Sequence, residues 1–379
     1  MAALGIQQAA DINGGSPLGL AEIVEARTGG QRVVASSAYS MTGITVLTST
    51  LVRRILVSNL PDGTKVAMGV ELSSGQKYTA RAEVILSAGT IKTPQLLMLS
   101  GIGPAEELQH HGIQQLVDSP EVGRNLWDHL GLTQQWKLRS PELGAAFGSP
   151  AFNDPKFMNG NAMDWHTTSS VPTTQLKAAL AKDLDNESTS SGVGNHELVR
   201  GGGMCHMGLL VFYVGVPLDG SLITTCSLNY LPTSRGTVTL ASPDIETKSL
   251  IDHNHYATHA DRYRLRTAVR TFSKLTSTPP LAEIISGEAI PPGCKGTSED
   301  STDEEIDERV KKGAMTIQHH AGTASMEKAV DSELKVKGVK GLRVVDASII
   351  PAPISCPIQT VLYVLAERAV DLILGEDSV

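Results

Sequence analysis

Three groupings of side chains able to move protons or hold cations stand out by their spacing. His319 and His320 are adjacent and run into Ala321-Gly322-Thr323, Cys205 precedes His206, and Asp252-His253-Asn254-His255 alternates acid and imidazole. Imidazole titrates near neutral pH and can take or release a proton there, so His319, His320 and His206 are the candidate general acid or base residues. Cys205, Cys226, Cys294 and Cys356 are widely spaced and form no Cys-x-x-Cys pair, which makes them buried or idle thiols and neither a zinc nor a dithiol redox site. A dinucleotide cradle would need Gly-x-Gly-x-x-Gly between a strand and a helix, because those glycines let the backbone approach a pyrophosphate at the helix N-terminus. No such spacing occurs; Gly14-Gly15-Ser16-Pro17-Leu18-Gly19 and Gly201-Gly202-Gly203 come nearest, and neither fits.

The elements that must position these groups follow from periodicity and turn residues. Residues 1–35 are rich in Gly, Ala and Gln and carry no single period. After a helical patch from Ser36, the stretches Thr45 to Thr48, Arg53 to Ser58, Lys65 to Leu72 and Val84 to Leu86 read as short strands, divided by turns such as Pro61-Asp62-Gly63 and Ser73-Ser74-Gly75. Thr93 to Ser100 reads as an apolar helix with Pro94 in its first turn. Residues 140–203 show little periodicity, and Asp183 to Gly194 together with Gly201 to Gly203 have the composition of a mobile loop or lid. Met207 to Pro217, Leu222 to Pro232 and Gly236 to Ala241 read as strands of one sheet. Ala260 to Leu275 has helical spacing, and Ser301-Thr302-Asp303-Glu304 is a capping-box pattern for a helix through Lys312. A last helix from Gln359 to Leu374, opened by Pro357, puts Val361, Leu362, Leu365, Ala369, Leu372 and Ile373 on one face and is expected in the core.

Composition narrows the partners. A chain of 379 residues can bury its own core. A net charge of −8, no run of Lys or Arg and 4% aromatics argue against nucleic acid and favour a small molecule. The opening residues lack the basic and apolar regions of a secretory signal, and no apolar stretch reaches the roughly 18 residues of a membrane span. A soluble, cytoplasmic protein is expected, and the sequon Asn186-Glu187-Ser188 would matter only after secretion.

Five blocks taken in order carry a resemblance: Gly89 to Gly103 (GTIKTPQLLMLSGIG), Val122 to His129 (VGRNLWDH), Ser234 to Asp244 (SRGTVTLASPD), His319 to Met326 (HHAGTASM) and Leu342 to Pro351 (LRVVDASIIP). Together they resemble the glucose-methanol-choline (GMC) oxidoreductases, which use bound FAD to oxidise alcohols. The resemblance implies an α+β (mixed α/β) fold in three segments. Residues 1–135 would be the remnant of an FAD-binding lobe, 136–315 a substrate-binding lobe with an antiparallel sheet, and 316–379 a C-terminal segment returning to the first lobe. It places Asn125, Asp128, His129, Asp346 and Ala347 near a flavin and His319 on the catalytic histidine, with Thr323 and Ser325 nearby and His320 where a proline or small residue usually stands. It also makes Asp252 to His255 an ordinary turn after a strand, so no metal is expected.

Two departures from the family pattern shape the expected function. The Gly-rich βαβ unit that opens the family's fold is missing, and the second catalytic position, usually His or Asn, falls on Pro357, which has no side-chain donor or acceptor. These predict a protein without cofactor in which redox chemistry has been abandoned. The expectation is a non-redox cyclase, isomerase or lyase acting on a small, largely apolar metabolite, with His319 as general acid or base and a homodimer covering the lost lobe. The alternatives are an FAD-dependent alcohol oxidoreductase whose front portion is supplied by another chain or missing, and a non-catalytic binding protein on a degenerate fold.

Overall fold

The nine-residue strand Leu130–Leu138 has both edges paired, so neither flank of its backbone faces water, and six of its nine residues are buried. In the computed structural model, which describes residues 1–152, 154–155, 159–184, 193, 196–200 and 203–375, this strand anchors an antiparallel sheet of seven strands. The order across the sheet is Gly19–Glu22, Trp165–Ser169, Met207–Phe212, Leu222–Asn229, Leu130–Leu138 and Ile285–Glu288, with Ala314–Thr316 pairing the start of the central strand. Helix His259–Thr276 lies on this sheet: Leu265, Ala268, Val269 and Phe272 are fully buried at helical spacing, and the Thr258 hydroxyl caps the helix by accepting from Asp261 N–H. Arg264 is buried on the same helix, where Asp261 and Asn229 take its guanidinium protons. The helix Asp303–Gly313 does carry a capping box, but between Thr302 and Glu305, one residue later than the sequence pattern suggests, because Arg270 holds the Ser301 carbonyl outside the helix.

The second compact unit is built around a parallel pair, Val84–Leu86 with Leu342–Val344, registered Leu342 to Val84 and Val344 to Leu86. Helix Gly89–Leu99 follows the first of these strands directly. Leu97, Met98, Ile102, Leu108, Leu342, Val344 and Ile349 form its dry centre. Each such side chain, taken fully from water, contributes roughly 1.5–3 kcal/mol before chain entropy is subtracted. A three-stranded antiparallel sheet, Val52–Asn59, Lys65–Leu72 and Lys77–Thr79, belongs to the same unit.

The chain divides into two compact units. Residues 1–44, 129–233 and 256–317 make one unit, and residues 45–128, 234–255 and 318–379 the other. The first residues belong with the large sheet because Gly19–Glu22 pairs along Trp165–Ser169. Residues 234–255 belong with the parallel pair's unit because Leu126 and Gly236 exchange backbone hydrogen bonds and Val238 N–H donates to Gly123. Thr45 to Thr48 is irregular, not a strand, and Val46 and Leu47 stay exposed for want of a partner strand. Residues 140–203 are more regular than expected, holding the strand Trp165–Ser169 and the helix Thr173–Asp183. The expected lid residues 185–192, 194 and 201–202, and with them the sequon at Asn186, lie outside the described residues. The last helix, Ile358–Leu374, buries only Ile358 and Ala369 fully and leaves Val364, Val370 and Leu374 exposed, so it is a half-covered surface helix and not a core one. Among the described residues no helix is long and apolar enough to cross a membrane.

Candidate active site

Pro94 lies inside helix Gly89–Leu99 and has no N–H to give to the carbonyl four residues earlier, that of Thr90. The Thr323 hydroxyl takes that place, donating to the Thr90 carbonyl at 2.6 Å, while the Thr90 hydroxyl donates to the carbonyl of His320 at 2.8 Å. Two side chains thus stitch the HHAGT segment to the first turn of the helix. Gly322, at φ 95°, makes the close passage possible: a Cβ there would sit 2.4 Å from the Asn125 carbonyl oxygen and 2.7 Å from the Trp127 ring. Trp127 and Ala321 exchange backbone hydrogen bonds, and the Trp127 indole N–H donates to the Ile350 carbonyl.

This frame sets the histidines. His319 is half-buried, and its backbone N–H donates to Asp128 Oδ1 at 3.0 Å. Burial lowers the His319 pKa below the ordinary histidine value, opposed by the Asp128 charge, so the ring is neutral at pH 7 and able to accept a proton. His320 Nε2 stands 3.5 Å from Asp128 Oδ2, and His255 Nε2 stands 3.4 Å from the same oxygen. His253 stacks on His255 with ring centres 4.7 Å apart and tilts toward His320 at 5.0 Å. Asn254 between them adopts φ 46°, a left-handed conformation that asparagine tolerates, and is held by its donation to the Arg235 carbonyl. Three imidazoles therefore meet one carboxylate that is only 1% exposed.

Asp346 organises the second part. Its Oδ2 accepts from Gly89 N–H at 2.9 Å and from the Thr93 hydroxyl at 2.6 Å, and its Oδ1 accepts from Ser348 N–H at 2.8 Å. The loops Ser87-Ala88-Gly89 and Val345-Asp346-Ala347 leave the carboxyl ends of a parallel strand pair, where open α/β sheets bind ligands. Gly89 is at φ 79°, and the space a Cβ would enter is empty to 4 Å. Asn125, at φ 58°, donates to the Ser325 hydroxyl and the Pro351 carbonyl and accepts from Arg235. A strand end, an open glycine and a helix N-terminus fit one edge of a dinucleotide-type cofactor.

The other sequence candidates lie elsewhere. His206 belongs to the unit of the large sheet, where Val171 N–H donates to its Nδ1 at 3.2 Å and its Nε2 donates to the Leu198 carbonyl at 2.9 Å, so backbone engages both ring nitrogens. His129 is fully buried in that unit, edge-on to Tyr230. Ala347 contributes its carbonyl, which accepts from Gly322 N–H. Thr90 and Arg235 were not singled out by sequence; only the Pro94 gap left a trace pointing to Thr90. His253 and His255 were read as an ordinary turn, and their convergence on Asp128 has no signal in local spacing, because Asp128 and His320 arrive from distant segments.

Residues 2–131 and 232–366 match the N-terminal and C-terminal domains of the family described as GMC oxidoreductase. The chain is 37% identical over 385 residues to the GMC-type oxidoreductase acuG of Aspergillus aculeatus, covering 99% of this chain and 72% of that protein. It is 30% identical over 374 residues to the choline oxidase of Arthrobacter globiformis, covering 92% of this chain and 60% of that protein. Among solved structures, a formate oxidase of Aspergillus oryzae, described for its FAD modification, superposes with a TM-score of 0.84 at 27% identity, over 99% of this chain and 69% of that one. The match to the N-terminal domain and an FAD-linked structural neighbour overturn the expectation of a cofactor-free protein. These relatives are named as oxidases or oxidoreductases, which favours the FAD-dependent alternative over a cyclase, isomerase or lyase.

Proposed function

The chain belongs to the GMC oxidoreductase family, and from this premise we propose that it works as an FAD-dependent oxidoreductase on a hydroxyl group of a small molecule. The observation that carries the reading is His319, a partly buried imidazole kept neutral by its surroundings and fixed through its own backbone to Asp128. Bound flavin would supply the two-electron acceptor for hydride. The chain's own part is to remove the hydroxyl proton, and a positioned neutral imidazole does so with a typical gain of about 10²–10⁴-fold. Thr90 and Thr323 hold the backbone beside His319 against the helix start. The Ser87–Gly89 loop and the Val345–Ala347 turn would hold one edge of the cofactor, with Asp346 keeping both loops in register. Pro357 opens the last helix and offers no proton partner.

The test is an absorption spectrum of the purified chain, before and after adding FAD, joined to turnover of a panel of primary alcohols by wild type and His319→Ala. Flavin bands with turnover, and a fall of about 10²-fold or more in kcat for the variant with flavin retained, support the reading. A protein that takes up no flavin overturns it.

A further inference from the structure

We propose that Asp128, His253, His255 and His320 form a binding site for one divalent transition-metal cation of the zinc class. The redox reading uses Asp128 only through its Oδ1, which holds the His319 backbone, and makes no use of His253, His255 or Asp128 Oδ2. One donor atom from each of Asp128, His253 and His255 lies within 4.8 Å of the others, and His320 Nε2 adds a fourth at 3.5 Å from Asp128 Oδ2. Donor atoms bonded at about 2.0–2.1 Å to a tetrahedral zinc stand roughly 3.3–3.4 Å apart. The His255 to Asp128 and His320 to Asp128 separations of 3.4 and 3.5 Å already match that figure; His253, within 4.8 Å of Asp128 and His255, must close toward them, and His320, outside that group of three, must close toward the two other imidazoles.

The chemistry of the set agrees with the geometry. Three imidazoles and one carboxylate suit zinc, cobalt, nickel or copper, whereas magnesium and calcium require oxygen ligands. His253 Nδ1 and His255 Nε2 are buried and make no hydrogen bond, which is uncommon for buried ring nitrogens and leaves lone pairs that a cation would satisfy. Asp128 presents Oδ2 to the imidazoles because His319 N–H occupies Oδ1, the kind of supporting bond that orients a metal-binding carboxylate. The side chains of His255 and His320 remain 23% and 21% exposed, so a cation reaches the cluster without unfolding it. A cation here would clip the turn 252–255 to the HHAGT segment, whose His320 ring tilts against His253.

The experiment uses the tag-free chain, stripped with a chelator and titrated with cobalt(II), followed by zinc competition against a chromophoric chelator. One equivalent of cobalt giving tetrahedral-type visible absorption, displaced by zinc, is the expected result. His253→Gln and His255→Gln should each weaken zinc binding more than tenfold, while His110→Gln, at an exposed position outside the cluster, leaves it unchanged. No uptake by the wild type, or uptake unaltered in the two cluster variants, overturns the proposal. Should those variants fail to fold, proton NMR of the wild-type cobalt form decides: paramagnetically shifted ring protons from at least two histidines support the site, and fewer overturn it.

Discussion

Gly322 carries the tightest demand on any single residue of the site. A methyl group there would meet the Asn125 carbonyl and the Trp127 ring in a left-handed backbone, so Gly322→Ala is expected to lose about 1–3 kcal/mol in urea unfolding and to lower turnover through displacement of His319. Asp346 is as exposed to test. Asp346→Ala leaves Gly89 N–H, the Thr93 hydroxyl and Ser348 N–H without their acceptor, and a loss of about 2 kcal/mol or more is expected from the same measurement. Residues of this kind were legible one by one: His319 and Asp346 sit in blocks whose order along the chain identified them. The partners of His253 and His255 were not, because a histidine's role depends on what folds against it, and Asp128 is more than a hundred residues away.

At the scale of elements, the helix Gly89–Leu99 gives a clean double-mutant cycle. Thr323→Val removes the hydroxyl that closes the Thr90 carbonyl and should destabilise by about 1–3 kcal/mol. Pro94→Ala restores a backbone N–H at the position that can close the same carbonyl, so the loss in Thr323→Val should shrink by about 1 kcal/mol or more when Pro94→Ala is added. Additive effects in denaturant unfolding would show that the two groups do not share the carbonyl. The sequence placed this helix but began it four residues late, since a proline is read as a first-turn residue and here lies inside. Strands Lys65–Leu72 and Val84–Leu86 were read to the residue, the first because turn residues bound it on both sides. The final helix was read in its extent but not in its burial. Its apolar residues spread too far round the axis for its neighbours to cover, so Val364→Ser and Val370→Ser are expected to shift the unfolding midpoint by no more than about 0.5 kcal/mol equivalent.

For the whole molecule, acid sensitivity is set in part by His166, buried under the sheet with its Nε2 2.7 Å from the Tyr230 hydroxyl. Burial pushes its pKa from 6.5 down to about 4. Above pH 6.5 the ring is neutral in folded and unfolded chains alike, and it adds nothing to pH dependence. As the pH falls, the unfolded chain gains a proton that the folded one refuses until about pH 4, so stability drops across that window by about 1.4 kcal/mol for each pH unit and then levels off. His166→Gln should flatten that slope in unfolding curves taken between pH 6.5 and 4. The sequence reading had two lobes with a C-terminal segment returning to the first, but not the membership of residues 1–44 and 234–255, because each unit is assembled from three separate segments and only long-range pairings such as Gly19–Glu22 with Trp165–Ser169 reveal it.

The Thr90 to Thr323 bond spans 233 positions, the Thr93 to Asp346 bond spans 253, and the parallel strand pair closes over a similar length. The helix Gly89–Leu99 thus completes its first turn with groups made more than two hundred residues after it. The unit built on that helix is therefore expected to stay open until those residues are made and to close slowly, as folds dominated by distant pairings do. Nascent chains halted before residue 319 should present Leu97, Met98 and Ile102 to chaperones, and chains extended past residue 349 should withdraw them.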